Sequence, residues 1–385
     1  MPSRRRVLCG FGSLATVGLA GCTDGPSGND VSPGTETDTE WPQPGGTDRF
    51  DCYRADAAAP RASPDERWAV PSIWPAGRPI VASGRVMLPT QGGLVAYDVT
   101  SSDEQWRFGF GEDGPDLRTP PIVVDGLAYL GTRTGLVAVD VTDGTEAWTV
   151  EFETSATAPP VVGIDRERLA VGTDFGLVGL DIDGERLWRR ETFTEVTALA
   201  SWGDVLYAGT SGGELFAYAG IGDPNGMWRR QLDGRVVQVA LLDGDGIVVS
   251  VFGGPTTRRD DTAAGAERWS HDTGSHGFVL AGNTYAVGGG LTSIHTRTGE
   301  RRWTVDDRLR APPAGAGDTV YTGGDGFVAG YAMDGGTGVG GYRMNAERWR
   351  HEVDGAVTSG LAVADGAVFA TAMNDDGDTT LYALE

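Results

Sequence analysis

The sequence predicts an all-β fold, an eight-bladed β-propeller, and three observations carry that expectation. Eight of the eleven tryptophans recur in one frame, Trp68, Trp106, Trp148, Trp188, Trp228, Trp269, Trp303 and Trp349, at spacings of 38, 42, 40, 40, 41, 34 and 46 residues. A period near 40 means one four-stranded blade per repeat. Between the tryptophans, short β-rich runs alternate with Gly or Asp turn residues at steps of roughly 8 to 12 residues, the rhythm of a meander. Within the second repeat, Pro120 to Trp148, no apolar run keeps helical spacing for more than a turn.

The second repeat shows the elements in order. Pro120 to Val124, Gly126 to Gly131, Gly135 to Asp140 and Gly144 to Trp148 are four short runs, each bounded by turn residues. After Trp349 the chain offers three more runs, 360–363, 367–370 and 381–384, and ends before a ninth tryptophan. The last blade therefore lacks an outer strand, while the run at Trp68 has no strands before it. The simplest closure lets that N-terminal strand complete the last blade, which removes the open sheet edges. A Gly-rich insertion at 335–341 reads as a mobile surface loop.

The chain has 385 residues with 54 acidic and 31 basic side chains, a net charge of −23, and every basic residue is Arg. That excludes a nucleic-acid footprint. Such a surface suits very salty water, where a Debye length of a few ångströms screens acidic self-repulsion, and it resembles halophilic archaeal proteins. Three cysteines, Cys9, Cys22 and Cys52, make neither a disulfide framework nor a metal-ligand spacing. Cys52 reads as a buried free thiol.

The N-terminus reads as an address. Arg4 and Arg5 precede an apolar stretch that runs to Ala20 and is too short to span a bilayer. The pair resembles a twin-arginine signal, and Leu19-Ala20-Gly21-Cys22 resembles a lipobox, in which cleavage exposes the cysteine for lipid attachment. The expected organisation is a signal peptide over 1–21, a lipidated flexible tether over 22–44, and the propeller over 45–385. The protein is expected at the cell membrane, held by the lipid and facing the extracellular side.

Ala138-x-Asp140, Gly144 and Trp148 match the tryptophan-docking motif A-x-D-x-x-T-G-x-x-x-W, and Ala96, Asp98, Trp106 and Thr298, Gly299, Trp303 keep parts of it. On these residues, over about 41–385, the chain resembles the PQQ-type quinoprotein propellers. The resemblance implies that each of the eight tryptophans packs onto the neighbouring blade. It leaves function open, because the family holds enzymes and non-enzymes. The alcohol dehydrogenases of the family need adjacent cysteines over the quinone and a calcium held by Glu, Asn and Asp, and no Cys-Cys occurs here.

No catalytic residue and no metal site is identified. Asp243 to Gly246 and Asn374 to Asp378 gather oxygen ligands, yet neither completes a calcium loop. The connections expected to open onto the central funnel carry Arg118, Arg235, His276 and Arg310, a candidate anion-binding rim. With its repeat, blade count and lipid anchor the chain is similar to BamB-type lipoproteins. That likeness implies a non-catalytic, monomeric scaffold with a membrane or secreted protein partner and no cofactor. The alternatives are a dehydrogenase with an altered PQQ and calcium site, and a solute receptor using the funnel.

Overall fold

The computed structural model describes residues 40–111, 114–242, 246–261, 264–339, 342–343 and 346–385. Arg4, Arg5, Cys22 and nearly all of the expected tether lie outside them, as do Asp243 and Asp245. All regular structure among the described residues is β, and no helix there is long and apolar enough to cross a membrane. Five sheets are four-stranded antiparallel meanders, for example Ala156–Val162, Arg168–Thr173, Gly176–Asp181 and Arg186–Glu191 in spatial order. The third strands of three of these sheets repeat one pattern, Gly-Leu-Val-Ala-Val-Asp at Gly135–Asp140 with close variants at Gly93–Asp98 and Gly176–Asp181, buried throughout except at the terminal Asp. Each fourth strand is mostly exposed, such as Glu104–Phe108, where Trp106 is the residue that turns inward. The sequence thus sorts strands from buried inner to solvated outer.

A sixth sheet has six strands. Its outer strand Arg301–Asp306 accepts a small hairpin, Gly338–Val339 paired with Tyr342–Arg343. The described part of the Gly-rich insertion is therefore a hairpin added to an open edge, not the free loop the composition suggests. The seventh sheet has seven strands, because two long strands each serve two neighbours. Residues 347–352 of Glu347–Ala364 pair with the Thr319–Ala332 strand, and residues 356–364 of the same strand pair with Ala367–Met373. The N-terminal strand Glu66–Ser72 closes this sheet against Thr379–Leu384, with Trp68 opposite Ala383.

Hydrogen bonds between inner strands tie consecutive sheets at the repeat distance. Thr157 Oγ1 donates to Val196 O (2.7 Å), Thr197 Oγ1 donates to Val236 O (2.5 Å), and Gln238 Nε2 donates to Phe278 O (3.0 Å).

The tryptophans make the outer ties. Trp68, Trp106, Trp188 and Trp269 donate from Nε1 to Val99, Val141, Ile221 and Thr296 carbonyls, each in the third-to-fourth turn of the next repeat. Trp349 reaches Pro60, just ahead of the closing strand. Trp148, Trp228 and Trp303 lie against Gly184, Gly265 and Gly335, where a Cβ would come within 3.0 Å of the indole. These glycines have positive φ, so the turn needs glycine for its backbone and for the ring above it.

The segment from Trp41 to Arg54 occupies the axis. Trp41 and Val81 exchange backbone hydrogen bonds, and Pro42, Arg49, Asp51, Cys52 and Arg54 accept from Val123, Leu241, Leu280, Gly315 and Gly317. These donors lie on or directly after inner strands of five different repeats, so one short peptide bridges strands far apart in sequence. Trp41 is fully buried and Phe50 and Cys52 nearly so. Gly45 and Gly46 make the bend possible: a Cβ on the first would overlap Phe50, and the second has φ +75° beneath the Trp41 ring. Residues 41–43, expected in the tether, are buried in the folded body, Trp41 completely, with its backbone paired to Val81.

Candidate functional site at the loop end of the sheets

In a four-stranded meander, second-to-third turns and the connections from outer strand to next inner strand fall at one end. That end is opposite the Trp41–Arg54 segment, which bonds near the far ends of the inner strands. Large apolar side chains are exposed there: Ile73, Trp74, Phe175, Phe193, Phe252 and Met373. Phe193 is 84% exposed, the highest of them. At the other end, Ile164 and Trp202 are exposed in first-to-second turns, and an Arg49 guanidinium lies 5.0 Å from the Trp202 ring.

The four candidate rim residues lie at the loop end, but they do not converge as free cations. Arg118 pairs with Asp116 (2.6 Å), Arg235 with Glu195 (3.8 Å) and Arg310 with Asp325 (3.0 Å). Each pair is solvent-exposed, so it contributes little stability, on the order of 0–1 kcal/mol. His276 packs its ring edge-on against Phe252, with centroids 5.5 Å apart. Burial lowers its pKa from 6.5 and the Arg310 charge lowers it further, so the imidazole is held neutral. His276 and Arg310 are thus the two rim residues coupled electrostatically. The neutral face this leaves is apolar patches between closed ion pairs.

Below the rim lies a set of residues that sequence patterns did not single out. Arg78 Nη1 donates to Pro44 O (2.7 Å) and to Cys52 Sγ (3.7 Å), and Gln238 Nε2 donates to the same sulfur (3.6 Å). The thiol donates to Pro44 O. Burial raises the Cys52 pKa against the opposing influence of Arg78, so the thiol stays protonated. The signal that could have found this set is the aromatic and Gly-rich run Trp41-Pro42-Gln43-Pro44-Gly45-Gly46, too apolar for a tether.

A calcium-bound quinone needs a gathered set of oxygen ligands. Among the described residues no three His, Cys, Asp or Glu side chains are grouped to hold a metal. In the 374–378 turn, Asn374 Oδ1 is already used by the backbone N–H groups of Asp376 and Asp378 (3.1 and 2.9 Å). The described residues do not fit a calcium-bound quinone.

The architecture defines a β-propeller built from PQQ-type repeats. The chain belongs to the family described as outer membrane protein assembly factor BamB, whose model matches residues 57–250, just over half of it. No curated protein matches the chain. Among solved structures it is similar to BamB from Moraxella catarrhalis, with a TM-score of 0.65 and 20% identity over 83% of this chain and 98% of that one. It is also similar to the quinohemoprotein alcohol dehydrogenase ADHIIG from Pseudomonas putida HK5, with a TM-score of 0.66 and 12% identity over 90% of this chain and 80% of that one. A europium-containing methanol dehydrogenase gives a TM-score of 0.69 at 11% identity, over 91% and 98% of the two chains. At these identities the likeness is one of fold, shared by an assembly factor and by enzymes.

Proposed function

We propose that the protein is an exported, lipid-anchored, non-catalytic binding propeller that scaffolds a membrane or secreted protein at the extracellular side of the cell membrane. One observation carries this reading: Ile73, Trp74, Phe175, Phe193, Phe252 and Met373 are all exposed at the loop end. Large apolar side chains exposed at one end of an otherwise strongly acidic protein mark an interaction site. Family membership supports a scaffold, and the Arg–carboxylate pairs around the patch form the polar rim that protein interfaces have.

In this reading Cys22 carries the lipid and residues 22–39 span the distance to the membrane. The ring has eight blades in this reading: Thr319–Ala332 supplies the second and third strands of a seventh, and Glu347–Ala364 divides between the outer strand of the seventh and the inner strand of an eighth. Closure by Glu66–Ser72 completes the eighth blade, and in this reading the folded body is a monomer.

Replacing Phe175, Phe193 and Phe252 together with Asp tests the reading. The triple variant is expected to fold with an unchanged melting temperature and to lose the protein that co-purifies with the wild type from its own membranes. An unchanged set of co-purifying proteins would overturn it.

A further inference from the structure

Trp74 forms one wall of a small pocket at the loop end, with Pro75 and Met373 beside it. The wall is held in place from several sides. Gln91 N donates to Trp74 O (3.0 Å), Ala76 N donates to Pro89 O (2.8 Å), and Trp74 Nε1 donates to Gly377 O (2.8 Å). The ring is nonetheless half-exposed. A fixed aromatic face thus stands open, with little side-chain freedom left to lose when something binds it.

The rest of the lining comes from a break in strand pairing. Val357 pairs with Ala372 and Leu361 with Ala370, so residues 358–360 bulge opposite Thr371 alone. Thr358 and Ser359 line the pocket there, and so does Thr371, which is 2% exposed and whose Oγ1 has no hydrogen-bond partner. An unpartnered buried hydroxyl costs free energy, and a ligand whose polar tip bonds it recovers that cost. No lining residue is charged, although the chain carries a net −23. The pocket therefore offers an aromatic and apolar wall and a few hydroxyls, and nothing to hold an ion.

We infer that this pocket takes a phenol ring, the side chain of a tyrosine on a bound protein. Its volume of about 120 Å³ is close to the roughly 150 Å³ of an apolar cavity that holds benzene. The ring lies along Trp74 with its edges on Pro75 and Met373, and its hydroxyl donates to Thr371 Oγ1, as buried aromatic anchors with a polar tip do at interfaces. A phenylalanine would leave Thr371 unpartnered, and a charged side chain would meet no counter-charge. The source of the tyrosine rests on the binding-propeller reading, and the selectivity for phenol does not.

Titration of the purified mature protein at high salt with p-cresol, toluene and methyl glucoside, read on the Met373 methyl by NMR, tests the pocket. p-Cresol is expected to shift that methyl saturably, toluene to bind about two- to tenfold more weakly, the net worth of one hydrogen bond, and methyl glucoside not to bind. Thr371→Val replaces the orphan hydroxyl with a methyl of the same shape; it is expected to melt no lower than the wild type and to bind p-cresol no better than toluene. Trp74→Ala is expected to weaken p-cresol binding by about tenfold or more and to lose the protein that co-purifies with the wild type. The absence of a saturable p-cresol shift, tighter binding of the glucoside, or a p-cresol preference that survives Thr371→Val would overturn the inference. A partner retained by Trp74→Ala after p-cresol binding is lost would remove the pocket from the interface and leave the scaffold reading standing. A wild-type protein that binds p-cresol selectively but co-purifies with nothing would instead overturn the scaffold reading and leave the phenol site in place.

Discussion

Trp41 and Val81 exchange both backbone hydrogen bonds, Trp41 N to Val81 O at 2.7 Å and Val81 N to Trp41 O at 2.9 Å. This pairs the first described part of the chain with an inner strand some forty residues later. The same peptide then bonds inner strands of four further repeats before reaching Arg54. A ring of sheets, each contacting only its neighbours, gains cross-ring ties from it.

Trp41→Ala is accordingly expected to destabilise the propeller by about 3–5 kcal/mol, the cost of emptying a large core site. Guanidinium titration of both proteins at high salt measures it. A shift within about 0.5 kcal/mol would mean that the axial segment lies on the ring without holding it.

The glycine turns beneath the tryptophans give a paired comparison. Gly144 has φ +75° and a Cβ there would come 2.7 Å from the Trp106 ring, whereas Gly84 has φ +71° and open space around it. Gly84→Ala therefore reports backbone strain alone, about 1 kcal/mol, and Gly144→Ala is expected to cost clearly more. Equal thermal shifts for the two would show that the indole is not held tightly by its turn.

His276 provides the pH dependence. Its folded pKa lies below the unfolded 6.5, so its contribution to stability is complete above that pH and falls away as pH drops through the folded value. NMR titration should show its ring protonating below 6.5. Arg310→Gln should raise that pKa only in part, because burial is the larger cause. A His276 midpoint at or above 6.5 would contradict the packing against Phe252.

Much of the fold is legible in the sequence because the blades repeat an outer tryptophan, most with a glycine turn, and two of them add a buried Gly-x-x-Ala-x-Asp third strand. The closing strand is legible too, since Trp68 is in frame with no blade before it. The axial segment is not. Trp41 lies outside the 40-residue frame, and Val81, Leu241 and Gly315, which bond Trp41, Arg49 and Cys52, sit in repeats whose return to the axis only the closed ring produces. Nor is the state of the rim legible. Arg118, Arg235 and Arg310 look like a cationic cluster by position, but Asp116, Glu195 and Asp325 meet them only after folding. Arg78 belongs to no motif, and its bonds to Pro44 O and Cys52 Sγ form only once the axial segment folds against it.

Export and anchoring have their own test. Cys22→Ser is expected to move the protein from the membrane fraction to the medium with the propeller intact, and Arg4→Lys with Arg5→Lys to leave it unexported. A Cys22→Ser protein still sedimenting with membranes would remove the lipid from the account.

The most direct test of the binding-propeller claim is cross-linking mass spectrometry of the protein in its own membranes at high salt. The chain contains no Lys, so the linker must join carboxylates. The account predicts one stoichiometric protein partner, with cross-links concentrated on Asp116, Glu153, Asp174 and Glu195 of the loop end. An unaccompanied propeller, or links confined to the opposite end around Asp125 and Asp165, would contradict it.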